Sequence, residues 1–143
     1  MKKFIKIILV VIVVFCAIGI FSNSSENYKE SNSKSYSIVY KLNIKNPKTE
    51  YKLNKVIRKC AHITEYMVFT LIVLFTLKSF KVERGYRILI ALLVCILLGL
   101  TDEYYQSFIP GRGSKVSDVF IDFFGGILAC IFYTIGEHIK KFV

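Results

Sequence analysis

Residues 87–106 read RILIALLVCILLGLTDEYYQ, an apolar run from Ile88 to Leu100 that leads straight into Thr101, Asp102 and Glu103. A bilayer-spanning helix needs about 20 residues, and the run alone is too short to cross. It crosses only by drawing polar neighbours to the membrane boundary, where ionisable side chains are costly unless paired or functional. The same holds for Tyr66 to Leu77 and Val119 to Ile135, whereas Phe4 to Phe21 is long enough unaided. The expected fold is therefore all-α, an integral membrane bundle of about four transmembrane helices.

Composition agrees. Apolar residues make up 54% of the 143-residue chain, and the mean hydropathy of +0.50 exceeds what a soluble core can absorb. The formal net charge of +10 does not imply nucleic acid, because the basic residues sit in a loop and at helix ends rather than on a soluble reading surface. The lipid bilayer, with its anionic headgroups, is the implied partner. Cys16, Cys60, Cys95 and Cys130 each fall in or beside a different apolar segment, without disulfide or metal spacing, and read as buried free thiols.

Met1, Lys2 and Lys3 precede the first apolar run as in a secretory signal, but the run is long and no small-x-small cleavage site follows, so residues 1–21 read as an uncleaved signal-anchor helix. Residues 22–48 are rich in Ser, Asn and Lys and read as a flexible polar loop. Leu53, Val56, Ile57 and Cys60 then recur at helical spacing, so a helix begins near Lys48 and continues into the second span. The membrane domain covers 49–143, with spans at about 60–78, 86–103 and 118–136. Lys78, Lys81, Arg84 and Arg87 crowd the short connection between spans two and three and read as headgroup anchors or as charges paired across the bundle. With the N-terminal lysines they place both termini in the cytoplasm. Pro110, Gly111 and Gly113 break the connection between spans three and four.

The acids are unevenly placed. Asp102, Asp118 and Asp122, with Glu103, lie between the end of span three and the first turns of span four, while Arg58, Lys59, His62 and Glu65 open span two. In an up-and-down bundle these segments share one membrane face. Helical neighbours three and four apart add stripes: Lys59, His62 and Tyr66 with Glu65 beside them; Asp102 or Glu103 with Gln106; and Asp118, Asp122, Gly125 or Gly126, and Ala129, whose small residues admit a neighbouring helix. Phe108 and Ile109 dip toward the interface and hold Arg112 over the site.

These residues in this order resemble the VanZ-like family of small membrane proteins. The resemblance runs from about Lys59 to Ala129 and rests on Arg58-Lys59-Cys60-Ala61-His62 with Glu65-Tyr66, on Asp102-Glu103 with Gln106, on Phe108 with Pro110-Gly111-Arg112, and on Asp118, Asp122 and Gly125. It implies site positions at Lys59, His62, Tyr66, Glu103, Gln106, Arg112 and Asp118. The chain departs from the pattern at Asp122, where Asn is frequent, and at Ala129, where a second Gly is common. The resemblance also implies a multi-pass protein of the bacterial cytoplasmic membrane, linked through a named member to teicoplanin resistance, and it implies no established reaction.

The site expected is thus Lys59, His62, Glu65, Tyr66, Glu103, Gln106, Arg112, Asp118 and Asp122, facing outward. Its leading reading is binding of a lipid-linked cell-wall precursor or glycopeptide-like ligand that alters glycopeptide and lipopeptide susceptibility, through Arg112 and Lys59. The alternative is an intramembrane hydrolase or transferase of lipid-linked phosphates with His62 moving the proton. No cofactor is evident, although His62, Glu103 and Asp118 could take a divalent metal. A third reading has the cluster only locking the helices together.

Overall fold

A computed structural model of the chain describes residues 2–25, 28–41, 46–109 and 115–142, and these form five helices: α1 (Lys2–Ser25), α2 (Tyr28–Lys41), α3 (Pro47–Ser79), α4 (Arg84–Gln106) and α5 (Val116–Phe142). Four of them, over Lys3–Ser25, Pro47–Ser79, Arg84–Gln106 and Val116–Ile139, are long and apolar enough to cross a membrane, so this is an all-α, multi-pass membrane protein. The breaker residues 110–113 and Arg112 lie outside the described residues.

Local chemistry sets the helix ends. Asn46 caps α3, its side chain accepting from the Lys48 N–H at 3.0 Å, and Pro47 occupies the first turn where its missing N–H costs nothing. At the other end Lys81 takes a left-handed conformation (φ 61°). The Val82 N–H reaches back to the Leu77 carbonyl and the Lys81 N–H to that of Lys78, a Schellman closure that reverses the chain into α4.

α3 is the central element, packing most extensively on α5 and also on α4, α1 and α2. Lipid offers no hydrophobic drive between helices, so close van der Waals packing must hold them. The α5 surface supplies the room: Gly125, Gly126 and Ala129 are buried. A Cβ on Gly125 would collide with the Ile63 carbonyl oxygen, and one on Gly126 would stand 2.6 Å from Cys95 Sγ. Tyr66, Phe69, Val73 and Leu74 of α3, Ala91 and Cys95 of α4, and Cys130 and Tyr133 of α5 complete the core. Phe4, Val14, Phe15 and Ile18 of α1 stay exposed, as lipid-facing residues do.

Both ends of the bundle are pinned by polar contacts. At one, Lys78 Nζ donates to Glu137 Oε1 at 2.8 Å, Tyr133 hydroxyl donates to the same oxygen at 2.8 Å, and buried Arg87 donates to Tyr133. Lys78 and Arg87 therefore tie α3 and α4 to α5 across the bundle. At the other end the terminus of α1 meets the middle of α3 and the end of α4, because Asn23 Nδ2 donates to Glu65 Oε1 at 2.9 Å and Gln106 Nε2 donates to Ser24 Oγ at 3.2 Å.

Two expectations are corrected. The segment read as a flexible loop is helical over Tyr28–Lys41. Its polar composition hid a docked face: Val39 is fully buried, Ser35 nearly so, and Asn54 of α3 donates to Asn32 Oδ1 at 2.6 Å. Of the four free thiols, only Cys95 and Cys130 are buried, while Cys60 is exposed.

Candidate functional site

α3 enters, α4 ends and α5 begins at the second of these ends, and a cavity of about 370 Å³ opens there between them and α2. Its walls are of two kinds. Lys55, Arg58 and Lys59 from one side of α3, with Lys115 just before α5, bring four cationic groups to it; His62, Glu103, Gln106, Asp118 and Asp122 add titratable and amide groups, beside neutral Asn32, Asn54 and Ser117. Lys55, Lys59 and Lys115 are exposed, whereas Glu103, Gln106 and Asp122 are buried. Positive charge thus rims a polar floor.

The floor is built from paired contacts. His62 Nδ1 lies 3.2 Å from Asp122 Oδ1, joining α3 to α5 one turn above Gly125. Asp102 Oδ2 accepts from Gln106 Nε2 at 2.9 Å, a bond within α4 at the i, i+4 spacing. Glu103, one residue on, turns the other way: its Oε2 accepts from the Lys115 backbone N–H at 2.8 Å. A carboxylate at that point caps the entry to α5 and meets the positive end of its dipole. Asp118 is half-buried on the cavity wall, with the Ser117 hydroxyl 3.3 Å from its Oδ1.

Asp102, Asp122 and Tyr66 are fully buried. Gly99 faces Asp122 and Tyr66, and a Cβ there would stand in ordinary contact, 3.6 Å from Asp122 Cβ and 3.7 Å from both Asp122 Oδ2 and Tyr66 Cε1. Among the described residues, Tyr66 Oη, Asp102 Oδ1, both Asp122 oxygens and His62 Nδ1 have no hydrogen-bond partner. Polar atoms buried without partners cost free energy on the order of 1–3 kcal/mol each, more if charged, so such a group is not there for packing.

Residues 7–137 match the model of the VanZ/LLP1 family. The chain belongs to that family. No curated protein and no solved structure matches it. For a VanZ/LLP1 protein the geometry sorts the expected site residues into three groups. Lys59, His62, Glu103, Gln106, Asp118 and Asp122 meet around the one cavity. Glu65 faces α1 instead, held by Asn23 beside a smaller cavity of about 200 Å³. Tyr66 sits behind the floor against Gly99, and Arg112 lies outside the described residues.

Around His62 the structure gathers a different acid pair from the one expected of a metal-binding set. Asp102 and Asp122 approach it, with ligand atoms of all three within 4.8 Å of one another, while Glu103 is engaged by Lys115. Asp102 is the member that sequence reasoning left out of its site. The signal was present: Ala91, Cys95, Gly99, Asp102 and Gln106 form one stripe of α4, and every one of them is buried.

Proposed function

We propose that this VanZ/LLP1 protein binds an anionic envelope ligand, lipid-linked or glycopeptide-like, in the cavity between α2, α3, α4 and α5, and thereby alters glycopeptide and lipopeptide susceptibility from the outer side of the bacterial cytoplasmic membrane. The observation that carries this reading is the cationic rim over a polar floor at the end of a membrane bundle. The cavity is within the size range of small-molecule sites, roughly 300–1,000 Å³. Lysine and arginine side chains recognise phosphate and carboxylate, and the boundary position suits a headgroup whose tail stays in lipid.

Deleting the gene is expected to lower the concentrations of teicoplanin and of a lipopeptide that inhibit growth by fourfold or more, on the order of 1 kcal/mol of ligand competition. An unchanged profile, in a parent strain shown to make the protein, overturns the proposal. Sidedness is read from Cys60, exposed and adjacent to Lys59. A membrane-impermeant maleimide is expected to label it in intact cells and to lose that signal in Cys60→Ser; labelling only after lysis places the site inside.

The hydrolase or transferase reading has the His62–Asp122 contact in its favour. It differs in requiring turnover of labelled polyprenyl phosphates by the purified protein, abolished in His62→Ala.

A further inference from the structure

The buried floor of the cavity holds more acceptor capacity than the described residues satisfy. Asp122 is completely buried with neither carboxylate oxygen hydrogen-bonded, and Asp102, also completely buried, is held by Gln106 at Oδ2 and by the Ser24 side chain while its Oδ1 has no partner. His62 Nδ1 stands 3.2 Å from Asp122 Oδ1, yet the contact lacks hydrogen-bond geometry. Three helices thus bring ligand atoms together, one from each of His62, Asp102 and Asp122, within 4.8 Å of one another. Two carboxylates buried this close to one another are costly, and the contacts from Gln106 and His62 still leave Asp102 Oδ1 and Asp122 Oδ2 without a partner.

We propose that His62, Asp102 and Asp122 form a binding site for one divalent first-row cation of the Mn²⁺ or Zn²⁺ class. A dication neutralises the two carboxylates and supplies the partner that Asp102 Oδ1, the Asp122 oxygens and His62 Nδ1 lack. Metal–ligand distances near 2.0–2.2 Å allow two ligand atoms of one ion to stand up to about 4.3 Å apart. The 3.2 Å His62–Asp122 separation fits adjacent ligands, and the ligand atoms of all three residues stand within 4.8 Å of one another. One imidazole with two carboxylates is an oxygen-rich set that suits Mn²⁺ and accommodates Zn²⁺. Gln106 acts behind the ligands, fixing Asp102 through Oδ2 so that Oδ1 remains for the ion.

His62 and Asp122 also line the 370 Å³ cavity, so an ion held there keeps coordination positions open toward it. An anionic group entering past Lys59 would meet both the rim and the cation. This last step rests on the ligand-binding reading above; the cation site itself does not, and its test uses no antibiotic and no lipid ligand.

Full-length protein in lipid nanodiscs, stripped with a chelator, is titrated with MnCl₂ and, separately, ZnCl₂. The expected result is one ion per chain, with bound Mn²⁺ showing the electron spin-echo modulation of a single coordinated imidazole nitrogen. Asp122→Asn, which keeps the shape and removes the charge, is expected to weaken binding roughly 100-fold or more. Glu137→Gln, at the opposite end of the bundle, leaves stoichiometry and affinity unchanged. The proposal is overturned if the wild type binds neither ion stoichiometrically, if bound Mn²⁺ shows no nitrogen modulation, or if folded Asp122→Asn binds as the wild type does. Should Asp122→Asn not fold, the nitrogen signature and its loss in His62→Ala decide the matter.

Discussion

Replacing Gly125 with valine is expected to destabilise the bundle by about 3 kcal/mol or more, the upper range for overpacking. The cause is specific. A Cβ at this position runs into the Ile63 carbonyl oxygen and stands 3.1 Å from the Met67 nitrogen. Both are backbone atoms of α3, which cannot rotate away as a side-chain tip would, so the helices must part. Because α3 and α5 share the largest helix contact in the molecule, the separation propagates to the His62–Asp122 contact one turn away. Gly136→Val is the matched control on the same helix: nothing lies within 4 Å of its Cβ position, and its stability should stay within about 0.5 kcal/mol of wild type. Unfolding in a denaturing-detergent titration, followed by helical circular dichroism, reads both variants. Equal stability of Gly125→Val and wild type would show that α3 and α5 do not pack in this way.

The Gly125 contact also shows what the amino-acid sequence discloses of this fold and what it withholds. The stripe Asp122, Gly125, Gly126 and Ala129 could be read as a close-approach face because small residues at helical spacing serve few other purposes in lipid. The start of α3 was legible from Leu53, Val56, Ile57 and Cys60 at helical spacing, and the Asn46 cap with Pro47 in the first turn sets where it begins. Four spans could be read because Phe4 to Phe21 crosses unaided and the three other apolar runs, too short to cross, force their charged flanks to the boundary. By contrast α2 was not legible: its sequence YKESNSKSYSIVYK is polar nearly throughout, and its helix is set by docking of Val39, Ser35 and Asn32 on the bundle rather than by a local apolar pattern.

The division of labour between Asp102 and Glu103 was hidden as well. Neighbours on a helix point about 100° apart, and Gln106 is within reach of either by spacing. Only the rotation of α4, fixed where Ala91, Cys95 and Gly99 are buried, turns Asp102 toward His62 and leaves Glu103 for the Lys115 backbone. A long-range packing choice thus decides which of two adjacent acids belongs to the buried cluster.

Lys59→Glu is expected to return antibiotic susceptibility to that of the deletion strain. Lys59 is exposed at the cavity rim and holds no packing role, so its replacement leaves the bundle intact and acts on the ligand. A hydrogen bond from a cation to a phosphate or carboxylate contributes about 1.5–3 kcal/mol, which is roughly a 10- to 150-fold loss of affinity before the new repulsion is counted. Lys59→Arg keeps the charge and should retain most of the wild-type resistance, short of full because the guanidinium fork has a different reach. Lys81→Glu, exposed at the opposite end of the bundle, should behave as wild type. Growth inhibition by teicoplanin in the complemented deletion strain, with protein levels matched by immunoblot, measures all three. Combining Lys59→Glu with Glu103→Lys separates a ligand contact from a helix lock. A lock of paired charges would be restored by the swap. Here it should not be, because Glu103 accepts from the Lys115 backbone N–H, a bond that a lysine ammonium cannot replace. Restoration of resistance by the double variant would make the cluster a packing device and remove the cationic rim as the source of function.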